Sequence, residues 1–522
     1  MVYGGRLATF LRWIERIPPE EVYQHANLCL DTGWAYALMG KVDKALRFAQ
    51  AGEAALSNYD PVFIASRNYT ISAAEIRGDL ITLRAYCARL AGNREGVIHY
   101  SQLALEQLPE DAYTVRGVVA LNLGLLFFQN WEIERAMAAL DEAVAMTLKS
   151  GENISVAVNG LCMQGNVLQR QGQLDQAEAY YRRGIEMSAR EGLAPGAIPA
   201  ASLGYFGLAE IHYLRNQVEA AQGCLDEARE LASKANTPDL VRHARMLETR
   251  LALLAGDLSA AKQLLKASGE LTGGTRDEHY EMQRAMLEAE LLITQGDSAQ
   301  AAQTLAGRQF PLRDMQPADQ NSAMDRIPEY LLLARLKLHE GRVDEVEKLL
   351  KWLGPFSAGI PSVEYRIEIS LMQAVAYHMR RAADRAVEFL EEALNLAQPQ
   401  NFVSPFLKLS SLIAGLLSRR DTAGSADQFE HRVQAALARR NLALKSWAEG
   451  LAAGEGFLKE PLTGREQQLL NLLAAGLTSN QVAEELVLSV STVRSYMKSL
   501  YRKLDVHSRE QAVIRGKSLG LL

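Results

Sequence analysis

The chain has 522 residues, of which 48% are hydrophobic and 23% are charged. Both values are average for globular proteins and exclude a chain that is disordered over most of its length. At ~150 residues per domain, this length corresponds to about three or four domains, unless the chain is an array of repeats. The formal net charge is −6, so any basic surface for nucleic acid must be local.

Positive charge is concentrated at the C-terminus. Residues 459–522 contain nine Lys and Arg against six Asp and Glu, a net charge of +3. The rest of the chain carries 47 basic and 56 acidic residues, a net charge of −9. This asymmetry indicates that nucleic-acid binding, if present, is a property of the last 64 residues.

The cysteines and the N-terminus indicate the compartment. Cys29, Cys87, Cys162 and Cys224 are far apart and form no CxxC, so we predict buried thiols rather than zinc or disulfides. No apolar run approaches the ~18 residues of a membrane helix. Residues 1–18 mix arginines with acids and lack the pattern of a signal peptide. We expect a cytoplasmic protein that does not enter a membrane.

Helix pairs bounded by small residues recur along the first 418 residues. Residues 124–143, 165–184 and 209–228 align with a small residue first, an alanine opening the second helix and a large residue four positions later. Small residues let two antiparallel helices approach, and one pair cannot bury both of its faces, so pairs must stack. The residue that opens the second helix is small or β-branched at nine positions: Ala45, Val97, Ala136, Ala177, Ala221, Ala261, Ala301, Val346 and Ala386.

This pattern resembles the tetratricopeptide repeat, although the spacing of 39 to 52 residues exceeds the usual ~34. Six of the turns between paired helices carry glycine, while three carry Trp131, Asn216 and Arg381 instead. We predict an all-α fold: a right-handed α-solenoid of about nine tetratricopeptide-like helix pairs over residues 1–418, followed by a small C-terminal domain.

The first helices of such pairs line the concave wall of a solenoid. In the tetratricopeptide family, which this chain resembles, that wall binds peptides or small ligands. Aromatic, amide and charged groups occupy the outward positions of three consecutive units: Phe128, Gln129, Asn166, Arg170, Glu210 and Tyr213. We expect a small-molecule or peptide effector at this wall; the alternative is an ordinary solvated surface of mixed composition.

Motifs of catalysis and cofactor binding are missing from the sequence. It contains no GxxxxGK[ST], GxSxG, HExxH or GxGxxG. Four histidines of the helical segments have no His or Cys three or four residues away: His99, His212, His243 and His279. We therefore predict no enzyme, no catalytic residue, no cofactor and no metal site.

The helix-pair pattern fades after Leu417. Residues 419–460 are predicted to form a polar loop, a helix over about 428–451 and a glycine-containing linker. Residues 461–522 form the predicted C-terminal domain. Capping signals divide it into four short helices and stand at Thr463 with Glu466, at Thr478 with Gln481, at Ser489 or Ser491, and at Ser508 with Gln511. This arrangement is typical of a helix-turn-helix domain.

The third of these helices, over about 491–504, has two distinct faces. Four apolar residues fall on one stripe and are predicted to be buried: Val493, Met497, Leu500 and Leu504. The opposite face has three cations and no acid, and consists of Ser491, Arg494, Ser495, Lys498 and Arg502. Arginine and lysine donate to guanine edges or to phosphates, and the flanking Lys503 suits a phosphate. The alternative is a basic face that is merely solvated.

Residues 461–522 resemble the LuxR-type DNA-binding domain. The motifs that carry the resemblance include Leu462-Thr463-x-Arg465-Glu466, Ala474-x-Gly476, Thr492-Val493-Arg494 and Tyr501-x-Lys503-Leu504. The resemblance implies that the third helix enters the major groove of double-stranded DNA. It also implies a homodimer on an inverted repeat, paired through the fourth helix, 508–518.

The same resemblance assigns roles to single residues. It places Arg494, Ser495 and Lys498 near base edges, and Thr492 and Lys503 at phosphates. Arg494 and Tyr496 stand where this family usually has lysine and histidine, so the preferred operator cannot be transferred from a relative.

A solenoid followed by a LuxR-type domain resembles the MalT-like regulators. In that family an NTPase module precedes the solenoid, and the opening residues 5–46 resemble the segment that follows this module. We therefore expect the chain to lack the NTPase. The resemblance implies a transcriptional activator whose solenoid senses an effector, with RNA polymerase as a possible partner. The alternative is a scaffold that recruits the polymerase or a separate NTPase chain to DNA.

Overall fold

The computed structural model describes most of the chain. The described residues are 7–58, 62–64, 69–190, 200–234, 238–270, 278–306, 326–357, 362–417, 428–452, 462–474, 477, 479–486, 488–504, 506, 509, 512–513, 516 and 521–522.

Nine antiparallel helix pairs make up most of the described residues. Two helices, α1 (Leu7–Ile14) and α2 (Pro19–Val22), precede the first pair, α3 (Ala26–Leu38) with α4 (Val42–Ala55). The other pairs are α5 (Ala73–Leu90) with α6 (Arg94–Gln107), α7 (Tyr113–Gln129) with α8 (Ile133–Ser150), α9 (Ile154–Arg170) with α10 (Leu174–Arg190), α11 (Ala200–Leu214) with α12 (Val218–Lys234), α13 (Pro238–Ala255) with α14 (Leu258–Glu270), α15 (Glu278–Gln295) with α16 (Ser298–Ala306), α17 (Ile327–His339) with α18 (Val343–Ser357), and α19 (Val363–Met379) with α20 (Ala383–Ala397).

Six further helices follow the pairs, and the all-α prediction is confirmed. They are α21 (Ser404–Lys408), α22 (Ser410–Leu417), α23 (Gln428–Ala452), α24 (Gly464–Ala474), α25 (Ser479–Glu485) and α26 (Val490–Leu504). One small feature was not predicted: strands β1 (Val62–Ile64) and β2 (Tyr69–Ile71) form an antiparallel hairpin between α4 and α5. The predicted domain limits at 418/419 and 460/461 lie outside the described residues.

The nine small or β-branched residues that open the second helices are the tightest points of the solenoid. Every one of them, from Ala45 to Ala386, has a relative exposure of 0%. The large residues four positions later in the three aligned stretches, Leu140, Tyr181 and Leu225, are also completely buried. The helices of a pair therefore meet at the small residue, and the large one fills the space toward the next pair.

All nine turns between paired helices adopt the left-handed conformation. Six have glycine there, with φ between 69° and 86°. Trp131, Asn216 and Arg381 take φ values of 62°, 56° and 61° at the three turns without glycine. The amide after Asn216 donates to the carbonyl of His212 at 2.8 Å, as in a Schellman turn. The turn geometry therefore persists although a side chain there costs about 1–2 kcal/mol.

The C-terminal part of the solenoid returns to its middle. The amide of Val403 donates to the carbonyl of Leu214 at 2.8 Å, and the side chain of Gln400 accepts from the amide of Asp175 at 2.9 Å. Helix α21 contacts α11 and α13, and its Phe406 is completely buried. Segments about 190 to 225 residues apart in sequence thus pack against each other.

Helix α23 confirms the helix predicted over residues 428–451 and packs tightly against the solenoid. Its residues Phe429, Val433 and Leu437 are buried. It contacts α13, α21 and α22, and its Leu444 and Trp447 pack on the apolar cluster of α13, α14 and α15.

Three of the four cysteines are buried and Cys224 is half-buried, all with free thiols. Burial raises the pKa of Cys29 and Cys87 to about 11 and that of Cys162 to about 12. No described helix is both long and apolar enough to span a bilayer. Among the described residues, no three His, Cys, Asp or Glu side chains are grouped as metal ligands would be.

We predict opposite effects of alanine at two helical glycines. A Cβ at Gly207 would lie 2.2 Å from the buried Tyr181 ring, whereas one at the exposed Gly223 would meet nothing within 4 Å. Gly207→Ala should lower the free energy of unfolding by about 1–3 kcal/mol through overpacking. Gly223→Ala should raise it by about 0.5–1 kcal/mol because alanine loses less entropy in a helix. Denaturant unfolding of both variants checks this, and equal effects would contradict it.

Candidate nucleic-acid interface and solenoid cavity

The first C-terminal helix, α24, begins at the predicted capping box. The Thr463 amide donates to the Glu466 carboxylate at 2.7 Å, and the Glu466 amide donates to the Thr463 hydroxyl at 3.3 Å. This reciprocal pair satisfies two amides that the helix itself leaves unpaired. The predicted cap at Thr478 lies outside the described residues, as does most of the predicted fourth helix at 508–518.

The third C-terminal helix, α26, begins at Val490 and is capped by Ser489, whose hydroxyl accepts from the Thr492 amide at 3.1 Å. Its predicted apolar stripe is confirmed. Val493, Leu500 and Leu504 are at most 1% exposed, and Met497 is half-buried in the same core. This core also contains Leu469, Leu470, Leu473 and Val482 of α24 and α25. One face of α26 is therefore fully used in folding, and only the opposite face is available for a partner.

The opposite face of α26 is exposed and cationic. Arg494, Ser495, Lys498 and Arg502 are all exposed. Beside them lies an open hollow of about 670 Å³. Among the described residues, its lining holds three cations and no acid, and includes Ser479, Arg494, Met497, Lys498, Tyr501, Arg502 and Val506. Such a surface can donate to phosphates and to the acceptor edges of bases.

Thr492 and Lys503 are placed differently from the exposed cations. The Lys503 ammonium lies 2.7 Å from a Glu466 oxygen, and the two side chains are 10% and 3% exposed. Ser499 donates to the other Glu466 oxygen at 2.7 Å. Lys503 therefore ties α26 to α24. The Thr492 hydroxyl is half-buried and hydrogen-bonds to Ser489 at 2.7 Å.

The pKa of Glu466 reflects this network. Burial disfavours the carboxylate, but hydrogen bonds from Lys503, Thr463 and Ser499 outweigh burial and lower the pKa to about 2. The negative charge is thus stabilised in the folded domain.

Within the solenoid, the residues predicted to bind an effector have separate environments. Arg170 and Glu210 line a polar cavity of about 190 Å³. The other lining residues are Trp131, Gln169, Leu214, Arg250, Ser362, Glu364 and Tyr365. Two arginines, two glutamates and two aromatic rings therefore surround one space between α9, α11, α13 and α19.

The other four predicted residues do not line this cavity. The Phe128 ring lies 3.6 Å from the guanidinium carbon of Arg170, and Asn166 accepts a hydrogen bond from Tyr181 at 2.6 Å. Tyr213 is 3% exposed and borders a neighbouring gap of only about 10 Å³. Gln129 is exposed. Phe128 therefore supports a cavity residue, and Asn166 belongs to the packing around Tyr181.

In five consecutive pairs, the first helix carries a charged residue at the same position, and the sign of the charge alternates from one pair to the next. These residues are Arg170, Glu210, Arg250, Glu290 and Arg335. Arg250 contacts Glu210 at 3.2 Å, and Arg335 contacts Glu290 at 2.9 Å. The spacing of 40, 40, 40 and 45 residues matches the repeat, so this ladder was visible in the sequence. The residues predicted for the concave wall came from three units and therefore include only the first two members of the ladder, Arg170 and Glu210.

Lys408 adds a further charge to this polar interior, but it lies on α21, outside the nine helix pairs. Its ammonium lies 2.9 Å from Glu364 and also contacts Glu368. Burial disfavours the ammonium, but the two carboxylates outweigh burial and raise the pKa of Lys408 well above its usual value. The lysine therefore stays charged inside the solenoid.

Comparison with known families identifies both parts of the chain. The family described as MalT-like TPR region matches residues 78–423. This chain belongs to the MalT-like TPR region family. Within this MalT-like chain, residues 460–515 match the family described as bacterial regulatory proteins, luxR family.

Curated relatives of this MalT-like protein are named HTH-type transcriptional regulator MalT. The one from Vibrio campbellii is 22% identical over 547 residues, and the one from Serratia proteamaculans is 23% identical over 544 residues. Each alignment covers 99% of this chain but 57% of the relative. The chain thus spans little more than half the length of these relatives.

One similar solved structure is the apo form of RapI. It covers 72% of this MalT-like chain and 97% of its own, at 14% identity and a TM-score of 0.44.

Replacing Glu466 should destabilise the C-terminal helices in a pH-dependent way. Its folded pKa of about 2 lies below its ordinary 4.5, so the carboxylate contributes fully above about pH 4.5 and loses its contribution as pH falls toward 2. Glu466→Gln should cost about 3 kcal/mol at pH 7, and less at pH 3. Hydrogen exchange over residues 462–504 measures the difference.

The matched control is Glu484→Gln, which removes an exposed carboxylate from α25. It should leave the exchange rates nearly unchanged. Equal losses for Glu466→Gln at pH 7 and pH 3 would show that the carboxylate does not have this role.

Proposed function

We propose that this chain is a DNA-binding transcriptional regulator in which α26 enters the major groove of double-stranded DNA. The single observation that supports this best is the exposed cationic face of α26, with Arg494, Lys498 and Arg502. The opposite face of the helix is buried in a luxR-family helix-turn-helix core. Because folding buries only one face of α26, these cations stay exposed to solvent on the other face, where DNA can reach them.

We propose distinct roles for the predicted DNA-binding residues. Arg494, Ser495 and Lys498 lie near base edges, since they are exposed along the N-terminal half of α26 or just beyond it. Arg502 contacts a phosphate. Thr492 adds a phosphate contact at the start of the helix beside Ser489. Lys503 positions α26 through Glu466 and does not itself need to touch DNA.

We also propose the assembly that the LuxR resemblance implies. Two copies bind an inverted repeat, with half-sites on one side of the duplex. Contact with RNA polymerase would then make the protein an activator. That the chain has no catalytic activity is a prediction from its sequence.

We propose the cavity between Arg170, Glu210 and Tyr365 as the effector site. Its volume of about 190 Å³ is below the roughly 300–1,000 Å³ of sites for drug-sized ligands. This size favours a small polar molecule over a peptide. Effector sensing would start at α19, because Glu364 and Tyr365 of that helix line the cavity and Glu364 also holds Lys408 of α21.

Substitutions on α26 should separate affinity from sequence preference. Arg494→Ala should change the preferred sites, since a lost arginine–guanine contact costs about 1–3 kcal/mol of discrimination. Lys498→Ala should weaken binding at all sites, and log K of the parent chain should fall with log salt by ~0.9 per phosphate contact. Binding of genomic fragments at two salt concentrations measures both effects.

Arg465→Ala is the control, because Arg465 is an exposed cation of the same domain on α24. It should change neither the preferred sites nor the affinity appreciably. Unchanged site preference in Arg494→Ala, or an equal loss in Arg465→Ala, would argue against groove binding by α26.

An effector in the cavity should depend on Arg170. A set of small polar metabolites is screened for those that raise the unfolding temperature of the full chain. A compound that acts at this site should lose its effect in Arg170→Gln and keep it in Arg182→Gln, which removes an exposed arginine from α10. Stabilisation of all three chains by the same compound would place its binding elsewhere.

A further inference from the structure

A second polar cavity lies near the C-terminal end of the solenoid. It has a volume of about 40 Å³ and lies between α15, α17, α22 and α23. Arg335, Lys408 and Arg440 border it, and Glu290 is the one carboxylate among the described residues of the lining. The cavity is distinct from the one bordered by Arg170.

Arg440 is a buried arginine without an ion pair among the described residues. It lies on α23, is 7% exposed and donates through Nη1 to the hydroxyl of Ser410. Its Nε has no hydrogen-bond partner. A buried guanidinium without a counter-ion carries a large desolvation cost, so this position calls for an anion.

Arg335 faces the same cavity from α17 and is 8% exposed. Its Nη1 donates to Glu290 at 2.9 Å, while its Nε also lacks a partner. Two buried arginines thus border one cavity, and each keeps an unused donor. The Ser410 hydroxyl, which accepts from Arg440, retains its own proton as a further donor.

The charges around the cavity leave it electropositive. Lys408 is neutralised on its other side by Glu364 and Glu368, and Glu290 is paired with Arg335. In the described part of the chain, Glu290 is the carboxylate whose charge acts on Arg440, and its ion pair is with Arg335, so Arg440 has no carboxylate partner of its own. Burial and then the charges of Arg335 and Arg440 lower the pKa of the adjacent His339, which is the direction that a positive potential produces.

We propose that this cavity binds a small inorganic anion of the size of chloride between Arg335 and Arg440. A water needs roughly 10–15 Å³ of such space, so about 40 Å³ holds about three water-sized groups. The anion accepts from the two Nε atoms and from Ser410. Ser411 borders the cavity and is exposed, which gives the ion a route from solvent.

The bound anion would fasten α23 to the solenoid. Arg440 lies on α23, the last described helix before α24, and Arg335 belongs to the last but one helix pair. An anion shared by both arginines joins these helices by charge-assisted hydrogen bonds. The attachment of α23 then depends on the chloride concentration. This inference does not rest on the proposed function.

The test uses the full chain at constant ionic strength, with sodium chloride replaced stepwise by sodium gluconate. Chloride should raise the unfolding temperature by about 2 °C at concentrations well above its Kd. The same rise is expected in Arg439→Gln, which removes the neighbouring exposed arginine of α23. It should disappear in Arg440→Gln. An equal rise in Arg440→Gln, or no rise in the unaltered chain, would refute the proposal.

A second measurement needs no variant and so stands even if Arg440→Gln fails to fold. Crystals of the unaltered chain grown in bromide should show an anomalous peak within hydrogen-bond distance of Arg335 and Arg440. An empty anomalous map at this position would mean that water alone fills the cavity, and the proposal would be wrong.

Discussion

The close approach of two helices at one small residue per pair is the constraint on which the rest of the structure depends. All nine residues that open the second helices, from Ala45 to Ala386, are completely buried. A larger side chain there would separate the helices and leave the large residue of the next turn without a partner. Every pair is built in this way, so each pair buries its second face only against the following pair. The stack ends where α21 to α23, which do not form such pairs, cover the last pair.

The C-terminal part of the solenoid packs back on its middle, and this encloses a polar interior. Leu214 and Val403 meet through a backbone hydrogen bond although 189 residues separate them. The charged ladder of the first helices is thereby enclosed, and Lys408 enters it from α21. Buried charges must be paired or bound to a ligand. Most are paired here, and the polar cavities near Arg170 and near Arg440 are the two candidate ligand sites.

In the C-terminal helices, too, one part of the surface is used for folding and another part is left for a ligand. The apolar face of α26 completes the core, and Lys503 is tied to Glu466 of α24. These contacts fix the orientation of α26, so the cations on its exposed face are presented in a defined geometry. A flexible basic segment could bind phosphates equally well, but base edges require donors held in position. The rigidity of the small core therefore supports a role in sequence-specific binding.

Local pattern in the sequence determined the nine helix pairs, the turns at Trp131, Asn216 and Arg381, the capping box of α24 and the apolar stripe of α26. Each depends on residues within about one helix pair, and the spacing of residues records such short-range constraints directly. Only the tertiary structure decided that Lys503 faces Glu466, that α21 fills the solenoid interior and that Arg335 and Arg440 share a cavity. These contacts join residues 37 to 189 positions apart. They depend on the curvature of the solenoid, which accumulates from small rotations between successive pairs. No local pattern in the sequence specifies that curvature.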